Sequence, residues 1–330
     1  MTSVMNTAVL VTGAGGFIGS HLVEWLVRAG ARVTAFVHYN SRGDWGLLGQ
    51  IPEEVLGKVR VIQGDIRDAS MVDGAIRGHE IVFHLAALIG IPYSYVSPDA
   101  YVATNVQGTL NVLEASRRAG IRRLIHTSTS EVYGTAKFIP INEDHPLQGQ
   151  SPYSATKIAA DKLVESYILS FDLPAVTLRP FNTFGPRQSA RAIIPTIISQ
   201  ALARDRVEVG ALDPVRDFTF VADIVEAFAG MMDVQLPPAH VVNAGSGIGI
   251  SVGELAQRVL AIVGRDVPIV QNSARFRPER SEVGTLIADA SRAKELLGWG
   301  PRVSLDQGLA RTVESIREHP ELYDINRYAI

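Results

Sequence analysis

Two segments of the sequence carry side chains that can move protons. Tyr153 and Lys157 are four residues apart at the start of an amphipathic stretch, so a helix would place them on one face. An ammonium group beside a phenol favours the phenolate, which can act as a base. Residues 127–134, Thr-Ser-Thr-Ser-Glu-Val-Tyr-Gly, add a carboxylate, Glu131, just beyond a predicted strand. This carboxylate could remove a carbon-bound proton, or it could only pair with a nearby cation.

A second Tyr and Lys with the same spacing, Tyr133 and Lys137, offers a competing pair. Gly134 follows this tyrosine directly, in a stretch with strand or loop character, so the two side chains need not share a helical face. We therefore predict that Tyr153 and Lys157 are the catalytic pair.

A glycine-rich turn at residues 13–19 predicts a dinucleotide site. Gly13, Gly16 and Gly19 lie where an apolar strand turns into a helix, which allows a tight turn, close approach of a pyrophosphate and tight packing of helix on sheet. Gly43, Gly46 and Gly49 have the same spacing, but no such strand precedes them. Only the first match is expected to bind a dinucleotide.

The end of the second predicted strand bears on which dinucleotide is bound. An acidic residue there would bind the ribose hydroxyls, but residues 37–42 contain none. His38 and Arg42 could accept a 2′-phosphate, which modestly favours NADP over NAD, or they could be solvated loop residues. Asp65 is placed to cap the adenine.

Composition limits the classes of function. The 330 residues are 46% hydrophobic and 20% charged, with a net charge of -3 and no basic stripe, which argues against nucleic-acid binding. Without cysteine, neither disulfides nor thiolate metal sites are available, and no metal site is predicted. The sequence has no signal-like start and no apolar run of about 18 residues. A cytoplasmic protein with no membrane partner is expected.

The order of apolar and amphipathic runs predicts an α/β fold. Short apolar runs alternate with helical patterns through residue 180, which is typical of a Rossmann-like, doubly wound parallel sheet. We predict a dinucleotide-binding domain over residues 1–180, to which residues 217–247 return with a strand at 240–244. Residues 181–216 and 248–330 would form a smaller C-terminal α/β substrate-binding lobe. Long helices are expected over residues 101–119 and 154–171.

Several motifs together resemble the extended short-chain dehydrogenase/reductase family. They are the glycine turn, the Tyr-x-x-x-Lys helix, Asn-Val-Gln-Gly-Thr at 105–109, Arg-Pro-Phe-Asn-Thr-Phe-Gly-Pro-Arg at 179–187, Arg-Asp-Phe at 216–218 and Leu-Leu-Gly-Trp-Gly-Pro at 296–301. Thr-Ser-Glu at 129–131 is similar to nucleotide-sugar 4,6-dehydratases. Residues 91–95 and 148–153 resemble UDP-N-acetylglucosamine 4,6-dehydratases of legionaminic-type sugar pathways.

The resemblance implies an NDP-hexose substrate, most often UDP-N-acetylglucosamine in that group, and a tightly held NADP or NAD that is regenerated in each cycle. Tyr153, with Lys157, would take the O4 proton while the cofactor oxidises the sugar at C4, and Glu131 would act in the loss of water. Thr129 would bind the sugar O4, and Ser130 would position groups nearby. The residues predicted to bind the cofactor are Gly13, Gly16, Phe17, Ile18, Gly19, His38, Arg42, Asp65, Ile66, Leu85, Ala86, Ala87, Asn105, Thr127, Tyr153, Lys157 and Pro180.

The substrate diphosphate requires cations, and guanidinium groups suit phosphate oxygens. Arg187, Arg191, Arg216 and Arg277 are the candidates, although any one of them could form a salt bridge between the lobes instead. Ser128 and Asn182 complete the set predicted to bind the substrate.

Three other functions stay open. A UDP-glucuronate decarboxylase also carries Thr-Ser-Glu, but residues 87–95 contain no Arg or Lys to bind a C6 carboxylate. A 4-epimerase would not need Glu131, and a dinucleotide-binding regulator would not need Tyr153 and Lys157 together. The family resemblance also implies a homodimer formed through the two long helices.

Overall fold

Apolar runs bounded by Gly, Pro and polar residues form the strands, and the amphipathic runs between them form the helices. A computed structural model of the chain describes residues 4–234 and 241–323. The strands are β1 (Ala8–Thr12), β2 (Arg32–His38), β3 (Arg60–Gly64), β4 (Ile81–His84), β5 (Arg123–Thr127), β6 (Ala175–Pro180), β7 (Asn182–Phe184), β8 (Val207–Val209), β9 (Val215–Phe220), β10 (Val241–Ala244), β11 (Gly249–Ser251), β12 (Ile269–Gln271) and β13 (Thr285–Leu286). The helices are α1 (Phe17–Arg28), α2 (Glu53–Leu56), α3 (Ala69–Ile76), α4 (Ile91–Val96), α5 (Pro98–Tyr101), α6 (Gly108–Ala119), α7 (Pro152–Phe171), α8 (Ile193–Ala203), α9 (Val221–Gly230), α10 (Val252–Val263), α11 (Ser291–Leu297) and α12 (Leu305–Glu318).

The main sheet has seven parallel strands in the order β3-β2-β1-β4-β5-β6-β10. Helices α1 and α9 contribute to the apolar core on one face of the sheet, and α3, α6 and α7 to the core on the other. The strand order reverses between β1 and β4, where such folds bind ligands outside the carboxyl ends of the strands. The predicted Rossmann-like fold is confirmed.

A second, smaller sheet lies in the C-terminal half. Strand β9 pairs with β11, β13 and β7, and α8, α10 and α12 supply much of a separate apolar core. The sequence interpretation returned residues 217–247 to the dinucleotide-binding domain. The structure has residues 217–220 in β9 of the second sheet, whereas α9 contributes to the core of the main sheet and β10 pairs with β6 in it. His240, the predicted first residue of that last strand, lies outside the described residues.

The helix predicted over residues 101–119 forms, but it is not α-helical throughout. Short helix α5 runs into a π-helical segment, Val102–Gln107, before regular α6 begins. This wider turn carries the buried side chain of Asn105, whose amide donates to the Leu88 carbonyl and to the Thr156 hydroxyl of α7. The irregular turn therefore ties the loop after β4 to the helix that carries Tyr153.

Candidate active site

The predicted dinucleotide turn joins β1 to α1. Gly13 has a left-handed backbone (φ 69°), and a Cβ there would lie 2.7 Å from the Ala86 nitrogen. A Cβ on Gly19 would lie 2.2 Å from the Gly13 carbonyl oxygen. Gly16 precedes α1 with no side-chain cap, so the first N–H groups of the helix stay available. A pyrophosphate fits these residues because small side chains surround a helix N-terminus without a side-chain cap.

The loop after β4 lines the turn. The Thr12 hydroxyl accepts hydrogen bonds from the N–H groups of Leu85 and Ala86, which brings the predicted Leu85–Ala86–Ala87 segment against Gly13. At the end of β5, the Thr127 hydroxyl is buried and has no hydrogen-bond partner, so it can serve a bound ligand.

The residues predicted to bind the adenosine part of the cofactor are more exposed. Asp65 accepts hydrogen bonds from the backbone N–H and the guanidinium of Arg67, and chiefly this pairing lowers the pKa of Asp65. His38 is exposed, and the Arg42 Nε lies 3.4 Å from the Asp44 carboxylate at the surface. Their role toward a 2′-phosphate stays a prediction.

Helix α7 presents the Tyr–Lys pair. The hydroxyls of Ser151 and Ser154 cap its N-terminus reciprocally, which starts the helix at Pro152 and puts Tyr153 in its first turn. Tyr153 and Lys157 are both buried, and the Lys157 ammonium donates to the Thr127 carbonyl at 2.7 Å. Burial lowers the pKa of Lys157 to about 8. Burial also raises the pKa of Tyr153, against the hydrogen bond from Thr129.

Glu131 lies near Tyr153. Thr129 caps the short helical turn over residues 130–133 by accepting from the Glu131 N–H. Burial is the largest cause of the raised pKa of Tyr153, and the charge of the nearby Glu131 carboxylate contributes in the same direction. That carboxylate also lies 3.8 Å from Nη1 of Arg277. A phenol and a carboxylate are therefore close enough to interact electrostatically. Ser130 is buried beside them.

Two of the four candidate arginines converge near Glu131. Arg216 donates to Glu282 at 3.2 Å, and Arg277 lies 3.7 Å from the same carboxylate. Nη1 of Arg277 is buried without a hydrogen bond, and the buried amide oxygen of Asn182 also has no hydrogen-bond partner. These groups can receive an anionic, hydroxyl-rich ligand.

Arg187 and Ser128 are engaged elsewhere. Arg187 pairs with Glu24 of α1 at 2.9 Å and contacts His21, so α1 engages its Nε and Nη2, while its Nη1 is buried without a hydrogen bond. The Ser128 hydroxyl donates to buried Asp161 at 2.7 Å. Arg191 lies beside Gly90, the residue before α4, where an added Cβ would lie 3.5 Å from Arg191 Nη1.

The competing motifs have other contacts. The Tyr133 hydroxyl is buried, donates to Asn243 and accepts from Arg179. Gly46, in the second glycine match, begins a short helical turn from which the Leu47 N–H donates to the Gly15 carbonyl. That segment packs against the first glycine turn at Gly15.

Sequence reasoning missed one buried charge behind the pair. Asp161 accepts hydrogen bonds from Ser128, His126 and Arg179. Its signal was present, because residues 153, 157 and 161 share a helical face at successive spacings of four.

Among residues 4–234 and 241–323, no cluster of His, Asp and Glu is suited to hold a metal ion. Within the same ranges, every helix falls short of the length or apolar character needed to cross a bilayer.

A Rossmann sheet with a glycine turn, a Tyr–Lys helix and a carboxylate at the end of β5 defines an extended short-chain dehydrogenase/reductase of the nucleotide-sugar 4,6-dehydratase type. The chain belongs to the GDP-mannose 4,6 dehydratase family, whose model matches residues 10–312.

Known relatives span several reactions of nucleotide sugars. A UDP-glucose 4-epimerase from Mycolicibacterium smegmatis is 35% identical, with 93% of this chain and 98% of that protein covered. A dTDP-glucose 4,6-dehydratase from Streptomyces antibioticus is 32% identical, with 94% and 92% covered. The structure of DesIV, a dTDP-glucose 4,6-dehydratase from Streptomyces venezuelae with NAD and TYD bound, matches with a TM-score of 0.87 and 28% identity, covering 96% of this chain and 98% of that one.

Proposed function

We propose that the protein is an NAD(P)-dependent nucleotide-sugar 4,6-dehydratase that converts an NDP-hexose, with UDP-N-acetylglucosamine as the first candidate, to an NDP-4-keto-6-deoxyhexose and water. The observation that carries the proposal is the position of Glu131. Its carboxylate is near enough to Tyr153 to affect that phenol electrostatically. Oxidation at C4 alone needs one proton-handling group, whereas elimination needs a second.

The first step is assigned to α7. Tyr153 removes the proton of the sugar O4, and the Lys157 ammonium stabilises the phenolate. The bound nicotinamide would supply the redox chemistry by accepting the C4 hydride and returning it to C6. The glycine turn, Asp65, the segment after β4 and Thr127 would hold the cofactor, with Asn105 and Pro180 among the supporting residues.

The second step is assigned to Glu131. A ketone at C4 acidifies the C5 hydrogen, which the Glu131 carboxylate removes as a proton. The C6 hydroxyl then leaves as water with a proton from Glu131 or from a group that Ser130 positions, and C5 takes up a solvent proton when the hydride returns to C6. Thr129 would bind the sugar O4, and Arg216 and Arg277 would bind the diphosphate. Arg187 is left out of this set because its guanidinium is paired with Glu24.

A second candidate is 4-epimerisation, which the M. smegmatis relative favours by its name and identity. Decarboxylation of a UDP-glucuronate is the third, since a relative from Bacillus cytotoxicus that is 32% identical is a UDP-N-acetyl-alpha-D-glucosaminuronate decarboxylase. Both reactions begin with oxidation at C4, as dehydration does. They differ from dehydration in the fate of the C4 ketone.

The test is incubation with a panel of UDP-, dTDP-, GDP- and CDP-hexoses and UDP-glucuronate, supplemented with NAD or NADP. We expect loss of one water by mass and a new C6 methyl doublet by NMR for at least one hexose. The Tyr153→Phe variant should give neither. A C4 epimer without loss of mass, or carbon dioxide from UDP-glucuronate with no hexose dehydrated, would replace the proposal with the corresponding alternative.

The division into lobes at residues 180, 217 and 247 and the homodimer stay predictions. The helices expected at the dimer interface do carry exposed apolar side chains, Leu169 and Phe171 on α7. Light scattering on the purified protein would measure the mass of the assembly.

A further inference from the structure

Asp161 is a buried carboxylate one helical turn beyond Lys157 on α7. Its side chain is 4% exposed, and it accepts hydrogen bonds from three side chains on two strands of the main sheet and the adjoining loop. Ser128 Oγ donates at 2.7 Å, the Arg179 guanidinium at 2.9 Å, and His126 Nε2 lies 3.2 Å away. A carboxylate buried this deeply needs hydrogen-bond donors, and these three side chains supply them.

The same network reaches the catalytic lysine through the backbone. Lys157 donates to the Thr127 carbonyl, and the next residue, Ser128, is bound by Asp161. The Ser128 N–H also donates to the Leu178 carbonyl of β6. Asp161 therefore fixes the end of β5 that receives the ammonium group.

The charges around Lys157 come from several elements. Tyr153 lies on its own helix, His84 and His126 on β4 and β5, and Arg179 on β6. Burial is the largest cause that lowers the pKa of each histidine, so both are neutral near pH 7. Arg179 is cationic, but Asp161 and the Tyr133 hydroxyl engage its guanidinium.

The charge of Asp161 opposes the effect of burial on Lys157. Burial lowers the pKa of Lys157 to about 8, and the negative charge of Asp161 acts in the opposite direction. For Asp161, burial would raise the pKa, but the hydrogen bond from His126 and the charges of Arg179 and Lys157 outweigh it and lower the value to about 2. The carboxylate is thus ionised throughout the range in which Lys157 titrates.

We propose that Asp161 is a positioning residue for oxidation at C4: its buried carboxylate keeps Lys157 as an ammonium ion and holds the backbone carbonyl to which that ammonium donates. The inference rests on the Tyr153–Lys157 step of the proposed function, and it does not depend on whether water, carbon dioxide or neither then leaves. It also accounts for Ser128, whose hydroxyl serves Asp161.

The direct test is a titration of Lys157 by NMR in protein labelled with ¹³C at the lysine Cε. The chain has five lysines, Lys58, Lys137, Lys157, Lys162 and Lys294, so each signal can be assigned with single Lys→Arg variants. No substrate is required, so this titration gives a result even if the proposed reaction is wrong.

In Asp161→Asn, we expect the pKa of Lys157 to fall by about one unit or more, as expected when a nearby opposite charge is removed. Asp161→Glu keeps the charge and should retain most of the wild-type value. Tyr133→Phe is the matched control, because it loses a hydrogen bond of the same buried network and changes no charge. An unchanged Lys157 titration in Asp161→Asn would overturn the proposal, as would an equal shift in Tyr133→Phe.

Asp161→Asn leaves Arg179 buried without its carboxylate and could fail to fold. The double variant Asp161→Asn/Arg179→Gln removes both charges and is read by the same titration. The reference for it is Arg179→Gln alone: a Lys157 pKa in the double variant below that of Arg179→Gln supports the proposal, and an equal value contradicts it.

The kinetic test uses whichever sugar the substrate panel identifies. If Asp161 holds the ammonium form, the alkaline limb of the kcat/KM profile for C4 oxidation should move down by about one pH unit in Asp161→Asn, so activity at about pH 8.5 falls roughly tenfold. Below about pH 7 the loss should be much smaller. A loss that is equal at every pH would indicate a purely structural role and overturn the proposal.

Discussion

Replacing Glu131 by Gln separates the two proton transfers. The amide keeps the shape of the side chain and removes its basicity, so C4 oxidation should continue while elimination slows. A positioned general base contributes about 10²- to 10⁴-fold, and we expect the dehydration rate to fall by that factor. Oxidation should keep its rate or become slightly faster, because the charge of Glu131 contributes to the raised pKa of Tyr153.

The assay is single-turnover absorbance of the reduced nicotinamide. Wild-type enzyme should show only a brief accumulation, whereas Glu131→Gln should accumulate reduced cofactor with a keto sugar that keeps its oxygen at C6. Glu282→Gln is the matched control, since Glu282 lies 3.7 Å from the same Arg277 nitrogen that lies 3.8 Å from Glu131. If both variants slow elimination equally, the slower rate results from the changed surroundings of Arg277 and not from the loss of a base at Glu131. Full-speed elimination by Glu131→Gln would refute the role of the carboxylate.

Three further predictions concern the cofactor turn, the diphosphate and acid stability. Gly19→Ala should cost about 1–3 kcal/mol of stability and weaken dinucleotide binding, because its Cβ would lie 2.2 Å from a carbonyl oxygen. A Cβ on Gly49 would meet nothing within 4 Å, so Gly49→Ala is the control and should have neither effect. A melting assay measures the stability of both variants, and an NAD titration measures their binding. Arg216→Ala should raise KM roughly 10- to 100-fold with a smaller change in kcat, since a charge-assisted hydrogen bond contributes about 1.5–3 kcal/mol, and an unchanged KM would exclude it from the diphosphate site. Burial is the main cause that lowers the pKa values of His84 and His126 in the folded protein. As the pH falls below about 6.5, these histidines take up protons in the unfolded chain before they do so in the folded one, so the free energy of unfolding should decrease. Equal free energies of unfolding at pH 7.5 and 5.5 would contradict this.

The parts of the fold that follow from local patterns were predictable from the sequence. The alternation of apolar strands and amphipathic helices gave the sheet, and Ser151-Pro152 marked the start of α7 within two residues of the predicted one. Strand β9 and its partners were not predictable. Its sequence, Val-Arg-Asp-Phe-Thr-Phe, mixes polar and apolar residues although most of the strand is buried, and nothing local in it indicates a second sheet.

The prediction of the site was limited because the sequence does not show which side chains pair with one another. Tyr153 and Lys157 lie on one face of α7 with Glu131 nearby, but their roles, like the cofactor assignments, stay predictions. The engagement of Arg187 by Glu24 depends on how the lobes meet, which no local pattern contains. Asp161 was detectable from its spacing, although its partners come from distant strands.

The transfer of a label from C4 to C6 tests the central claim most directly. A nucleotide hexose deuterated at C4, incubated with the enzyme and unlabelled cofactor, should yield a product with deuterium in the C6 methyl group. The same reaction of unlabelled sugar in D₂O should place one deuterium at C5, where Glu131 acts. Deuterium that stays at or returns to C4, with no exchange at C5, would contradict a phenolate and a carboxylate acting on the same ring.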